Sequence, residues 1–498
     1  MKLSEKSWAL FVGLVFCVTS AFAQDQKQGT SPADPNAPLQ TQDANPSGGH
    51  ANQPIGAARG VAGPSESQPY DPSQVSPDTN TLAGAEFFTV GSLEHSHNIF
   101  DPFLSTSVLG DYFPGIPGQS SLGAVSIVGG GLNFNRNWSR YRLTASYNGG
   151  ETIAIGNAPL FAGQNSSYSQ FHDLSFIQGI NWARWHVLLR DDFIASPGAA
   201  FTGTGMGGPG LIGQYSSTLG ASLSNIGQAF APVQTIETGY AMRYMDSVLG
   251  QAEYSISRQS TLTFSGSYGL LHFANAGFVS SNMVSAQAGY DYLLDPRNSI
   301  AILGGYGKID YPGTGESTTD YTASLAYGRK ITGRLAFQAA GGPQEIQAAG
   351  AGVFGSFRQL SFSINSALTY QWRRSGLSFS YMHGLTAGSG VFLGATSDTF
   401  SASGYYRFTR FWTGSVNGGY AFNRSLAPAG GATSNFENWF IGANIGRQVG
   451  RHLQVNFNYG LQEQTNPSVC PVSSCGAPGY QHTFGMTVNW HLRPVPAG

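Results

Sequence analysis

The stretch Leu453-Gln-Val455-Asn-Phe457-Asn-Tyr459 alternates apolar and polar side chains at every position. A second stretch, Phe484-Gly-Met486-Thr-Val488-Asn-Trp490, repeats the apolar half of this pattern near the C-terminus. A period of two residues is typical of a β-strand with one apolar face and one polar face. About seventeen such stretches, each roughly ten residues long, lie between residues 121 and 491. So many strands in series predict a closed transmembrane barrel whose apolar face meets lipid.

The connections between these stretches alternate between tight turns and long loops. The tight turns contain the Gly, Pro, Asn and Ser residues that hairpins prefer. They lie at Asn137–Ser139, Ala183–Arg184, Arg258–Ser260, Asp295–Arg297, Arg329–Arg334, Arg373–Arg374, Thr409–Arg410 and Arg447–Arg451. The longer loops lie near 149–170, 196–236, 274–281, 310–319, 342–357, 385–397, 423–436 and 464–479. This rhythm is typical of an antiparallel up-and-down barrel.

The number of strands follows from parity. A single-chain bacterial barrel normally has an even number of strands, with both termini on the side of the short turns. One further strand is therefore needed before residue 121, and the sequence places it at Ala85–Gly91. We predict about eighteen strands, with sixteen and twenty as alternatives, because the 196–236 connection has room for another hairpin.

Composition agrees with a membrane barrel and argues against other classes. Charged residues make up only 10% of the chain, aromatic residues 13%, and glycine 67 of 498 residues. Soluble domains carry about 25% charged residues. The net charge of -2 gives no indication of a polyanionic partner, so nucleic acid is not expected.

The N-terminal part predicts export and a polar segment. Lys2 and Lys6 precede an apolar run at 8–18, and Ala21-Phe-Ala23 matches a signal-peptide cleavage site. We therefore predict a signal peptide over 1–23, which contains Cys17, and a disordered Pro/Gln/Gly-rich periplasmic segment over 24–82. The barrel is predicted over 83–492, followed by a C-terminal extension over 493–498. After the signal, no stretch approaches the ~18–20 apolar residues of a membrane helix.

Two cysteines remain after the signal peptide. Cys470 and Cys475 are spaced C-x4-C in a loop rich in Pro, Ser and Gly. In an exported protein, an even pair predicts a local disulfide rather than a metal or redox site.

At this level the chain resembles bacterial outer-membrane β-barrel proteins of the porin type, over roughly residues 83–492. The resemblance rests on the signal, the alternation, the loop rhythm and the aromatic residues at strand ends: Tyr141, Tyr147, Tyr321, Tyr327, Trp412, Tyr420, Trp439 and Trp490. It implies the fold, the bacterial outer membrane as location, and the membrane assembly machinery as a partner during insertion. Porin-like relatives are often homo-oligomers. Many of them end on an aromatic residue, whereas here eight residues follow Trp490.

If the apolar set faces lipid, the inward set is mostly uncharged. It comprises Gln454, Asn456, Asn458, Gln462, Thr263, Ser265, Ser267, Ser378, Ser380, Ser401, Ser403, Thr413, Ser415, Asn417, Thr487 and Asn489. A lumen at this strand number is too wide for side chains to fill, so water enters it. A neutral hydrogen-bonding lining suits small polar solutes such as sugars, although Ser, Thr and Asn also suit any wet interior.

Basic residues concentrate at the tight turns and acids at the loop ends. Fifteen of 25 Lys and Arg residues lie at tight turns: Arg136, Arg140, Arg142, Arg184, Arg258, Arg297, Arg329, Lys330, Arg334, Arg373, Arg374, Arg407, Arg410, Arg447 and Arg451. Asp295 alone is acidic there, and the loop ends carry Asp101, Asp111, Glu151, Asp310, Glu316, Asp320, Asp398, Glu437 and Glu463. A periplasmic basic rim would concentrate anions. Alternatively, outward arginines would bind inner-leaflet phosphates and fix the depth of the barrel.

The longest loop contains a candidate constriction. Leu219, Leu223, Ile226 and Phe230 recur at helical spacing after Ser216, Ser217 and Thr218, which can cap a helix. This segment either folds into the lumen or remains an external loop with a helical turn.

No set of residues predicts chemistry. His172, Asp173 and Ser175 have catalytic residue types, but His172 and Asp173 would face opposite sides of a strand. We therefore predict no enzyme, no cofactor and no metal site. The sequence favours a porin-like channel for passive diffusion of small hydrophilic solutes. The alternative is a plugged barrel with a structural or surface-binding role through its external loops.

Overall fold

The structure, a computed structural model, describes residues 99–112, 122–155, 168–197, 242–274, 277–350, 356–372, 374–390, 392–426, 435–450, 452–465, 479–492 and 495–496. The chain forms β1 (Ile99–Tyr112), β2 (Leu122–Asn137), β3 (Tyr141–Ile155), β4 (Tyr168–Asn181), β5 (Trp185–Pro197), β6 (Met242–Ser255), β7 (Ser260–Phe273), β8 (Ser281–Asp295), β9 (Asn298–Tyr311) and β10 (Glu316–Lys330). It continues with β11 (Leu335–Ala349), β12 (Phe357–Gln371), β13 (Ser375–Thr386), β14 (Ala395–Arg407), β15 (Trp412–Ser425), β16 (Asn435–Val449), β17 (Leu453–Thr465), β18 (Gly479–His491) and the two-residue β19 (Val495–Pro496).

Eighteen long strands form one closed antiparallel barrel. Each strand pairs with the next along the chain, and β1 pairs with both β2 and β18. The closing register places Phe103 opposite His491 and Ser107 opposite Thr487. The predicted fold class and the number of strands are therefore confirmed.

The predicted tight turns all join strands at one end of the barrel. β1 begins and β18 ends at this same short-turn end, as parity requires. The opposite end, called here the loop end, carries the other connections. One of these is shorter than predicted, because β9 and β10 are joined by only Pro312–Gly315 instead of a loop over 310–319. The eighteen strands are also longer than the roughly ten residues that the sequence predicted for each.

The first strand differs from the sequence prediction. The strand that makes the count even is Ile99–Tyr112, whereas the predicted Ala85–Gly91 strand lies outside the described residues. Alternation in β1 is weak because both faces carry apolar side chains. Phe103 and Leu109 are buried on the inner face, while Leu104 and Val108 are exposed on the outer face.

The outer face carries an apolar belt. Outward side chains such as Leu325, Leu360 and Phe457 are exposed, and Leu360 reaches 74%. Aromatic side chains line the short-turn edge of this belt, including Trp138, Trp185, Trp372 and Trp490. An apolar band with aromatic edges is the surface of an outer-membrane-type barrel.

Helical membrane spans were also considered. Within the described ranges, no helix is both long enough and apolar enough to cross a bilayer.

The residues after β18 extend the closure. β19 pairs with the start of β1, with Val495 opposite Phe100 and Pro496 opposite Ile99. The Leu492 N–H donates to the Pro102 carbonyl at 3.0 Å. The predicted C-terminal extension therefore contributes to the seam between first and last strands.

Gly342 on β11 offers a sharp test of strand packing. A Cβ atom at this position would lie 1.9 Å from the Ala323 carbonyl oxygen. We expect Gly342→Ala to lower the free energy of unfolding by about 2 kcal/mol, because the backbone must move to relieve the clash. The matched control is Gly304→Ala on β9, where nothing lies within 4 Å of the added methyl. Urea unfolding followed by heat-modifiable gel migration would measure both, and equal midpoints would contradict this packing.

Candidate functional site: the lumen and its two ends

One wall of the lumen is uncharged and laterally hydrogen-bonded. On β13 and β14 the Ser378 and Ser403 hydroxyls lie 2.6 Å apart. The Asn458 amide donates to Thr487 Oγ1 at 3.4 Å, and the Ser107 hydroxyl donates to the same oxygen at 2.9 Å. Further links in this wall join Ser380 to Ser401, Asn444 to Asn458, Gln462 to Gln481 and Asn438 to Gln464.

The uncharged residues predicted to line the lumen lie on the inner face of the barrel, on β7, β13–β15, β17 and β18. The register places their outward neighbours, such as Phe379, Phe400 and Phe457, on the exposed side of the sheet. From β11 to β18, described inward side chains carry charge only at the short-turn end, at Arg407 and His491. This part of the wall can exchange hydrogen bonds with a neutral polar solute.

The facing wall carries charges that sequence reasoning did not assign to the lumen. Inward ionisable side chains on β3–β10 include Arg142, Asp173, His186, Arg190, Asp192, Arg243, Glu253, Asp291, Glu316 and Asp320. Apart from the run Arg190-Asp191-Asp192, they occur singly among polar and apolar residues, so no common charge motif marks the sector in the sequence. The available signal was the position of each charged residue in the inward–outward alternation of its strand.

Most of these charges have partners. Asp192 accepts hydrogen bonds from the Ser175 hydroxyl at 2.6 Å and from Arg190 Nε, and Arg190 is 5% exposed. The Gln344 amide donates to Asp320 Oδ2 at 3.0 Å. His172 faces the opposite side of β4 from Asp173 and is hydrogen-bonded to the Tyr147 hydroxyl at 3.0 Å. The strand therefore keeps His172 on the opposite face from Asp173 and Ser175.

Arg243 is different from the other charges on this wall. It lies near the loop end of β6, is only 1% exposed, and its Nε and Nη1 find no hydrogen-bond partner in the described part of the chain. Its inward neighbours Met245, Leu271 and Phe273 form an apolar cluster. A buried guanidinium without an anion is costly, so this position attracts a negative charge.

The described residues of the β13–β14 loop (387–394) fold inward over one sector of the loop end. The Val279 N–H, in the β7–β8 connection, donates to the Gly390 carbonyl at 2.8 Å. Ala387 and Leu393 pack against Met283, Ile309 and Tyr311, which face the lumen on β8 and β9. Since β8 and β13 are five strands apart in the sheet, these contacts narrow the lumen over that sector.

Glycines permit this path of the β13–β14 loop. Gly390 has a φ of 80°, and a Cβ there would lie 2.2 Å from the Phe273 ring. Gly394 has a φ of 95° and accepts a hydrogen bond from the Leu426 N–H at 3.2 Å. Phe392 anchors the loop edge-on against Phe436, with ring centroids 5.3 Å apart. The sequence predicted this segment only as part of one of the longer loops, near 385–397.

Two predicted features fall outside the described residues. The candidate constriction at Leu219, Leu223, Ile226 and Phe230 is one, and the predicted disulfide between Cys470 and Cys475 is the other. Both stay predictions.

The described residues of the predicted basic rim lie at the short-turn end. Arg140, Arg184, Arg258, Arg297, Arg334, Arg374 and Arg410 occupy the turns, while Arg373 and Arg451 lie outside the described residues. Arg136, Arg329 and Arg447 project outward from strand ends, and Lys330 projects inward. Arg447 lies 5.1 Å from the Trp412 ring centroid, and Arg136 lies 4.7 Å from that of Trp138. These outward cations lie beside the aromatic short-turn edge of the apolar belt.

Asp101 corrects the predicted acidic rim. The sequence placed it at the loop end, but β1 begins at Ile99, so Asp101 lies inside the short-turn end. There Asp101 Oδ2 lies 3.1 Å from His491 Nδ1 across the β1–β18 seam. The difference follows from the misplaced first strand. Among the other predicted acids, Glu316 and Asp320 face the lumen, whereas Asp398, Glu437 and Glu463 face outward.

No protein-family model matches the sequence, and no curated protein matches it. Among solved structures, the outer membrane protein OpdK from Pseudomonas aeruginosa is similar, with a TM-score of 0.40 and 11% identity over 80% of this chain and 98% of that chain. OccAB2 from Acinetobacter baumannii has a TM-score of 0.39 and 8% identity over 79% and 98%. Pseudomonas aeruginosa OccK2 (OpdF), solved in complex with glucuronate, gives the same four values as OccAB2.

Proposed function

We propose that this protein is a porin-like channel of the bacterial outer membrane through which small hydrophilic solutes diffuse passively. The observation that carries this proposal is the continuous amide and hydroxyl lining of strands β12–β18, where side chains already bond laterally. A solute hydroxyl can replace such a partner without leaving a buried polar group unsatisfied. Exchange of this kind lets a solute bind weakly enough to move on.

Solute uptake by proteoliposomes is the direct test. We expect liposomes containing the refolded protein to swell in isotonic solutions of small neutral sugars, at rates that fall with solute size. As a matched pair, Asn456→Leu should slow sugar entry severalfold because it removes an inward amide, whereas outward Phe457→Leu should not. No swelling by correctly folded protein would contradict the channel proposal.

A second candidate function is a plugged barrel that binds ligands through its external loops. The specific observation in its favour is the β13–β14 loop, which folds inward at the loop end and packs against β8 and β9. The two candidates differ in whether the intact barrel conducts ions, which the loop replacement described in the Discussion measures.

The lipid partner is proposed from the short-turn end. Outward Arg136 and Arg447, each beside a tryptophan ring, favour the interpretation that the basic rim binds inner-leaflet phosphates. Homo-oligomer formation and recognition by the assembly machinery remain proposals from the sequence resemblance.

A further inference from the structure

A compact group of polar and aromatic side chains lies on the outer face where the barrel closes. We call Tyr112, Trp439, Tyr459, Glu463, Tyr480 and His482 the seam patch; they lie on β1 and β16–β18. The register places Glu463 between Trp439 and Tyr480. Trp439 Nε1 donates to Glu463 Oε2 at 2.7 Å, and the Trp439 and Tyr480 rings meet edge-on with centroids 6.3 Å apart.

The other half of the seam patch is built around His482. Its Nδ1 lies 3.1 Å from the Tyr459 hydroxyl. Its ring centroid lies 5.9 Å from that of Tyr112 and 6.3 Å from that of Tyr459. Tyr112 and Tyr459 therefore lie beside the His482 imidazole, and Tyr480 lies opposite the Glu463 carboxylate in the register. All three tyrosine rings are exposed: Tyr480 by 50%, Tyr459 by 43% and Tyr112 by 40%.

The position of the seam patch argues against a purely apolar lipid contact. It lies in the half of the strands that is nearer the loop end, and outward Phe457, Met486 and Val488 lie on its short-turn side. A carboxylate on a lipid-facing wall is unfavourable unless headgroups reach it. Related groups occur at the same level elsewhere: Tyr147 with His172, and His383 with Asp398 at 2.8 Å.

The charges at the two ends of the outer face differ. At the short-turn end, outward arginines stack on aromatic rings and are free to meet phosphate. At the loop end, Lys308 is paired with Asp310 at 2.7 Å and Arg358 with Glu345 at 2.6 Å, while Arg424 lies over the Phe422 ring outside the seam patch. The seam patch itself contains a carboxylate and no Arg or Lys, so it fits a hydroxyl-rich headgroup better than a phosphate.

We propose that the seam patch binds the sugar headgroup of a glycolipid in the leaflet at the loop end. The exposed tyrosine rings offer apolar faces to the C–H side of a pyranose ring. The Glu463 carboxylate accepts hydrogen bonds from sugar hydroxyls, and the His482 ring nitrogen that does not face Tyr459 bonds another. This proposal does not depend on the channel function, because the patch lies outside the lumen.

Lipid retention by the full-length protein tests the proposal. The protein would be placed in nanodiscs of phosphatidylethanolamine and phosphatidylglycerol, with and without digalactosyldiacylglycerol, and retained lipids counted by native mass spectrometry. We expect selective retention of the glycolipid. The Trp439→Phe, Glu463→Gln double variant should reduce it about tenfold, because hydrogen bonds to a charged group are lost. Trp412→Phe, at the short-turn end, is the matched control and should change nothing.

Several outcomes would overturn the proposal. These are equal retention of glycolipid and phosphatidylglycerol, unchanged retention in the double variant, or loss of retention on addition of EDTA, which would indicate a bridging cation. Folding of each variant is checked by heat-modifiable gel migration. If the double variant does not fold, Glu463→Gln alone provides the same comparison, since it keeps the shape of the side chain.

Discussion

Replacing Gly388–Leu393 by an Asn-Gly turn should raise the single-channel conductance roughly threefold or more. The β13–β14 loop packs through Ala387 and Leu393 against the inner face of β8 and β9, and the Val279–Gly390 hydrogen bond holds it to the β7–β8 connection. Removing it would widen the loop end of the lumen on this side. Planar-bilayer recordings of the refolded protein would measure the change.

The wild-type recording separates the two candidate functions. A conducting wild-type protein with a larger conductance in the variant indicates an open channel narrowed by this loop. A silent wild-type protein and a conducting variant indicate a plugged barrel. Phe392→Ala serves as an intermediate variant, because it removes only the ring contact with Phe436. Equal conductance of all three proteins would contradict a constricting role for the loop.

Arg243→Met should stabilise the barrel and shift its ion selectivity toward cations. The Arg243 guanidinium is almost completely buried, and two of its nitrogens have no partner in the described part of the chain. Exchanging an uncompensated buried charge for an apolar side chain of similar length stabilises by about 1–4 kcal/mol. Methionine would also extend the cluster of Met245, Leu271 and Phe273. Urea unfolding and the reversal potential in a KCl gradient would measure the two effects.

Arg142→Met is the matched control for this prediction. Arg142 also faces the lumen, but its Nε donates to Asn137 Oδ1 at 3.0 Å. Its replacement should therefore destabilise or be neutral. Destabilisation by Arg243→Met as large as that by Arg142→Met would show that Arg243 has a bound anion or another partner that the described residues do not reveal.

The fold was predictable because alternation is a local property. Strands such as β17 and β18 each carry their own period-two pattern, so the strands could be counted without knowing which strands pair. Parity then demanded an even number. The same method misplaced the first strand, because β1 has apolar residues on both faces and its pairing is decided by the seam with β18. That error also placed Asp101 at the wrong end.

The candidate site was predictable only in part, for a similar reason. Uncharged inward residues such as Asn456 and Ser401 follow from strand parity alone. The same alternation places Asp192, Arg243 and Asp320 on the inner face. Whether such a charge is paired, however, depends on residues that the fold brings next to it. No local pattern distinguishes Arg243 from the charges that have partners in the described part of the chain.

The sequence by itself determined the all-β class, the antiparallel barrel, its eighteen strands and a largely neutral wall, since each depends on residues close together in the chain. The tertiary structure alone decided that the β13–β14 loop packs against β8 and β9, that two nitrogens of buried Arg243 have no partner among the described residues, and that the seam patch assembles from β1 and β16–β18. These features join residues separated by up to several hundred positions. Closure of the barrel brings them together, and alternation within a strand carries no information about it.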